Sequence, residues 1–143
     1  MTNQRLDLHY MTVGSSAAER IVDDILSFNP EILSAGVIDR SGNIIANKSS
    51  ESFGKRFEGV HNLEHNRYSG TLAVAALGVA SEVKDAFGEP QAIITIYRDC
   101  KLMLLPMPSY DVLIGLALEP SANVENNTFV KEIERLVART LKS

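Results

Sequence analysis

His61, Glu64 and His65 are the residues whose types and spacing most invite a chemical reading. In the run His61-Asn62-Leu63-Glu64-His65 they match H-x-x-E-H, where two histidines one helical turn apart hold zinc and the glutamate acts as base. A hydrolase of that type takes a further protein ligand from a downstream helix, and this run lies in a polar, loop-like stretch. A solvated loop is therefore the favoured reading, chance metal binding the second and a zinc-dependent hydrolase the last. Cys100 stands between Asp99 and Lys101 in an expected turn. Lys101 would favour the thiolate, Asp99 would oppose it, and no histidine can be placed beside it, so an ordinary thiol is expected rather than a nucleophile. No G-x-G and no G-x-x-x-x-G-K-[ST] occurs, which removes the dinucleotide and P-loop phosphate cradles. Met103 and Met107 alternate with Leu102, Leu104 and Leu105 and read as core rather than as an adaptable binding surface. Arg40, Lys55 and Arg56 read as isolated exposed charges. No catalytic or cofactor-binding residue follows from the sequence, and a non-enzymatic protein is expected.

The totals narrow the class further. The 143 residues suit one domain, which at that size hides roughly two-thirds of its unfolded surface. With 45% hydrophobic and 22% charged residues the chain is an ordinary globular sequence, neither disordered nor fibrous. The formal charge is −4 and the only adjacent basic pair is Lys55-Arg56, which argues against a nucleic-acid partner. Residues 1–14 lack the uninterrupted apolar core of a signal peptide, and nowhere do about eighteen apolar residues run together, so a cytoplasmic location without membrane insertion is expected. Cys100 is the only cysteine, and no intrachain disulfide can form. Asn47-Lys48-Ser49 and Asn126-Asn127-Thr128 match the glycosylation pattern and, without a secretion signal, read as chance.

The elements that would position any site follow from periodicity. Residues 1–14 are polar and aperiodic and are expected to be a flexible tail before a single domain over 15–143. Ser16 with Glu19 spells a capping box, and Ile21, Val22, Ile25 and Leu26 recur at helical spacing up to Asn29-Pro30, which predicts a helix over 16–28. Leu33–Ile38 and Asn43–Ala46 flank Asp39-Arg40-Ser41-Gly42 as a hairpin, with Gly42 free to take the positive φ of the turn. Residues 47–67 read as a long polar loop with a short helical piece around Phe53, Phe57 and Val60. The uncharged stretch from Ser69 to Ser81 predicts a second helix running on to Phe87. Ala92–Tyr97, Leu102–Leu105 and Val112–Leu118 read as an antiparallel meander, broken before the last strand by Pro106 and Pro108. Phe129, Val130, Ile133, Leu136, Val137 and Leu141 mark a third, amphipathic helix.

The last three strands are apolar almost residue by residue, so both faces of their sheet must be covered, and the fold class is a layered α+β arrangement in the order αββαβββα. The first and third helices each have one apolar stripe and can share a face. The second is apolar nearly all round: Leu72, Ala76, Val79, Val83 and Ala86 form one stripe, and Ala73, Leu77, Ala80 and Phe87 another. One stripe can pack on the sheet, and a second copy of the chain is the simplest cover for the other. Gly70 and Gly78, with Val74 between them, would let two such helices approach closely. The expected pairing surface is Gly70, Ala73, Val74, Leu77, Gly78, Val79 and Ser81; the plainer alternative folds residues 47–67 over the helix.

This order, with Ala35-Gly36-Val37-Ile38-Asp39-Arg40-Ser41-Gly42-Asn43-Ile44-Ile45-Ala46 as its hairpin and Leu102-Met103-Leu104-Leu105-Pro106-Met107-Pro108 in its meander, resembles the roadblock/dynein light chain family over about residues 16–142. It is similar to distant archaeal members. The resemblance implies a five-stranded antiparallel sheet with one helix on one face and two on the other, pairing through the second helix into a ten-stranded homodimer. It also implies a protein-interaction module that serves as platform or regulator for a small Ras-like GTPase or another cytosolic partner. A small-ligand sensor of profilin-like or PAS-like architecture is the reading from a different class.

Overall fold

A computed structural model describes residues 13–57 and 63–142, with the side chains of residues 63–69 outside the description. The elements are α1 (Ser15–Phe28), β1 (Ile32–Asp39), β2 (Ile44–Ser49), α2 (Glu51–Arg56), α3 (Leu63–Ser81), α4 (Lys84–Phe87), β3 (Ile93–Ile96), β4 (Lys101–Met107), β5 (Val112–Leu118) and α5 (Asn127–Lys142), with a short 3₁₀ turn at Pro108–Tyr110. The strands form one antiparallel sheet in the order β2-β1-β5-β4-β3. β1 and β5 are therefore central and β2 and β3 are the edges.

The alternation along the strands sorts the core. Met103, Leu105 and Met107 of β4 and Val112, Ile114, Leu116 and Leu118 of β5 face α1 and α5, which bring Ile21, Val22, Ile25, Ile133, Leu136 and Val137. The two methionines are thus core. On the opposite face, among the described residues, Ile38, Ala73 and Leu113 are buried together, with Ile44, Val74, Leu77 and Leu104 packed around them under α3. A fully buried aliphatic side chain contributes about 1.5–3 kcal/mol, so among the described residues α1 and α5 bring many such contributions and residues 70–81 of α3 bring few. The layers are those expected from the sequence: two helices on one face and one long helix on the other.

The hairpin is closed by side-chain chemistry. Gly42 has φ +89°, and its N–H donates to the Asp39 carbonyl at 3.1 Å. The Asp39 carboxylate accepts from the Ser41 and Asn43 backbone N–H groups, each at 2.9 Å, and from the Asn43 amide at 3.1 Å. Burial pulls the Asp39 carboxyl upward, but the hydrogen bonds from Asn43, Ser41 and Gly42 together hold it below its ordinary value of 3.8. A carboxyl with a lowered pKa in the folded state stabilises fully above the ordinary value and loses that contribution as pH falls through the lowered one. Asp39→Ala is therefore expected to be less stable at neutral pH and to lose less stability than the parent between about pH 5 and pH 2. Urea midpoints across that range check it; an equally steep decline in both proteins would remove Asp39 from the acid response.

Several boundaries differ from the sequence reading. α1 begins at Ser15 with Gly14 as its N-cap and no side-chain cap, so Ser16 lies inside the first turn and does not form the capping box expected with Glu19. The stretch 47–67 is not one long loop: β2 continues to Ser49, Ser50 caps α2 by accepting from the Phe53 N–H at 3.2 Å, and α3 already begins at Leu63. Phe53 and Phe57 do meet, with ring centroids 5.0 Å apart. Pro106 does not end its strand. β3 pairs only as far as Ile93 opposite Leu104, so beyond that point β4 has a free side where a missing N–H breaks no ladder. The second helix stops at Ser81 and resumes as the single turn α4, because residues 82–89 are all exposed and no packing continues the helix past the sheet. Asn126 caps α5 by accepting from the Phe129 N–H at 2.9 Å, a structural use for a residue that otherwise reads only as a chance acceptor motif.

Candidate protein-interaction surface

α3 separates its two stripes sharply. The inner one meets the chain's own sheet: Ala73 is 3% exposed, and Val74 and Leu77 pack on Ile38 and Leu113. The outer one is left largely open among the described residues: Leu72 is 68% and Val79 74% exposed, and Val83 just beyond the helix is exposed as well. Phe87, placed by periodicity on the inner stripe, is 83% exposed because the break after Ser81 swings α4 off the sheet. Isolated exposed apolar residues are common on protein surfaces, but a row of large ones along one helix is the pattern of an unfilled contact.

The expected pairing residues divide between these environments. Gly78 and Val79 are exposed and Ser81 is half-buried, whereas Gly70 and Ala73 are buried within the chain. Gly70 lies against the β1–β2 turn so closely that a Cβ there would overlap the Gly42 carbonyl oxygen and stand 2.9 Å from its carbon. The close approach it permits is that of α3 to its own hairpin, not the helix–helix approach expected from its spacing with Gly78. A Cβ on Gly78 would meet nothing within 4 Å.

β3 is the edge of the sheet opposite β2. β3 has a neighbour only on its β4 side, and Ile96, Tyr97 and Leu102 at that end are exposed. An open, short apolar edge offers backbone groups to a partner, and the open apolar stripe of α3 offers side chains. The signal for Ile96 and Tyr97 was present in the sequence as an apolar strand, but its position at the edge depends on the strand order.

The side chains of the histidines and glutamate singled out for chemistry fall outside what the structure describes. His61 lies outside the described residues, and Glu64 and His65 fall in α3 with their side chains outside the description. Among the described residues no three His, Cys, Asp or Glu side chains gather as metal ligands. Cys100 is half-buried; burial and then Asp99 push its thiol above the ordinary value, against a smaller opposite effect of Arg56. Lys101, read from the sequence as the group favouring the thiolate, instead donates to the Ala122 carbonyl and to Glu125, each at 2.8 Å. Arg40 pairs with Asp111, Lys55 with Glu51, and Arg56 with Glu119, while Arg56 also donates to the Asp99 carbonyl at 3.3 Å. These charges tie turns and the short helix α2 to the sheet. No helix among the described residues is long and apolar enough to cross a membrane.

No protein-family profile matches the sequence, and no curated protein matches it. Solved structures do match in fold. A Roadblock/LC7 domain from Streptomyces avermitilis superposes with a TM-score of 0.66 at 11% identity, covering 87% of this chain and 94% of its own. The gliding protein MglB of Thermus thermophilus gives 0.66 at 17% identity, covering 92% and 96%. Myxococcus xanthus MglB gives 0.61 at 12% identity, covering 89% and 86%. At these identities the likeness is one of fold, and the fold is the roadblock/LC7 fold that the sequence resembles.

Proposed function

From this fold we propose that the chain is a self-pairing interaction module without catalytic activity, acting as a platform or regulator for a small Ras-like GTPase or another partner protein. The observation that carries the reading is the outer stripe of α3: Leu72 and Val79 are largely exposed on a helix whose inner stripe already fills the contact with its own sheet. An identical helix on a second copy is the cover of matching chemistry, and closed twofold pairing is the usual symmetry. The likeness to MglB and to a Roadblock/LC7 domain supports a binding role over an enzymatic one.

The test is the mass of the purified protein in solution, by size-exclusion chromatography with light scattering over a concentration range of about tenfold or more. The expected mass is twice the 15.7 kDa of one chain. A single-chain mass throughout would refute self-pairing. Affinity capture on the immobilised protein then addresses the GTPase: enrichment of a Ras-like GTPase is the expected outcome, and capture of none would remove that partner class.

A further inference from the structure

The outward face of α5 carries Lys131, Arg135, Arg139 and Lys142, all exposed and spaced so that they share one stripe about 16 Å long. Seven cations elsewhere on the described chain stand within ion-pair distance of a carboxylate. None of the four on α5 does among the described residues, although the chain as a whole holds 18 acidic and 14 basic residues. Favourable interaction with the helix C-terminus accounts for Arg139 and Lys142 in the last turn, but that effect fades within a turn and does not reach Arg135 or Lys131. Glu132 and Glu134 lie beside the first half of the stripe, and from residue 135 to 142 the helix has no carboxylate at all. Arg135, Ala138, Arg139 and Lys142 line an open depression of about 470 Å³.

We propose that this stripe is a docking surface for a carboxylate-rich segment of a partner protein. Charge complementarity sets the chemistry, and the neighbouring helix sets the width. α1 packs beside α5 on the same face of the sheet and exposes three carboxylates, Glu19, Asp23 (paired with Lys48) and Asp24, against one cation, Arg20. A broad anionic surface, such as a membrane or a nucleic-acid duplex, would meet those carboxylates as well as the cations. A narrow acidic segment lying along residues 135–142 of α5 meets Arg135, Arg139 and Lys142 and no carboxylate of that helix. α3 covers the other face of the sheet, so the stripe is independent of the proposed pairing and remains open whether the protein is single or paired.

The probe is a fluorescein-labelled peptide of alternating glutamate and alanine, about twelve residues long to match the stripe, titrated with the full chain at low salt and followed by anisotropy. Saturable binding is expected, weakened about tenfold or more in Arg135→Glu/Arg139→Glu, where two attractions become repulsions. The charge-matched variant Lys55→Glu/Lys84→Glu, altered on α2 and α4, is expected to bind as the parent does, and circular dichroism checks that both variants are folded. Vesicles of phosphatidylserine and phosphatidylcholine are expected not to bind. Absence of saturable peptide binding, equal weakening in the charge-matched variant, or stripe-dependent binding of vesicles in place of peptide would each overturn the proposal.

Discussion

Val79→Glu is expected to yield a folded single chain where the parent is expected to run at twice the mass of one chain. Val79 is 74% exposed and belongs to neither buried cluster, so its replacement removes no contact from the protomer and the circular-dichroism spectrum and urea midpoint should change little. In a twofold pair the same residue occurs on both helices, and each copy would bury a carboxylate with no cation opposite. Burying an ionised group without a partner costs several kcal/mol, and every 1.4 kcal/mol is about a tenfold change in the dissociation constant. A pair that persists at micromolar concentration in the parent should therefore be monomeric in the variant over the same range. Light scattering on both proteins decides it: a variant that keeps the doubled mass would show that the outer stripe of α3 is not the contact.

Gly70→Ala is expected to produce the largest loss of protomer stability. Both sides of this contact are backbone: the helix at Gly70 presses on the Gly42 carbonyl, and a Cβ on Gly42 would in turn lie 3.1 Å from the Gly70 carbonyl oxygen. Overpacking in a well-packed site costs typically 1–3 kcal/mol, and a turn held by its own hydrogen bonds to Asp39 can move less than a side chain can, so about 3 kcal/mol or more is expected. Gly78→Ala supplies the comparison on the same helix. Its Cβ would enter open space, and replacing a glycine inside a helix by alanine stabilises by about 0.5–1 kcal/mol. Urea denaturation of the three proteins gives opposite signs at the two glycines if the close approach is confined to Gly70. A near-neutral Gly70→Ala would mean that α3 can lift from the hairpin without loss.

Most of the architecture was legible in the chain because it is written at short range. The period of Ile21, Val22 and Ile25, the glycine in the turn after Asp39 and the unbroken apolar runs of the meander specify their elements without reference to anything distant. At two of the places where the structure differs, what lies far along the chain decides. Pro106 stays within β4 because β3 has already stopped pairing beside it, and the second helix breaks after Ser81 because nothing lies beneath it there. The sequence by itself determined the order of the elements, the two-sided covering of the sheet and the two stripes of α3. Only the tertiary structure decided which stripe turns inward, that Gly70 answers to the hairpin and Gly78 to open space, and that the cations of α5 are left without carboxylates while seven elsewhere have them. Each of these depends on which residues far apart in the chain become neighbours, and helical or strand periodicity defines faces without saying what will stand opposite them.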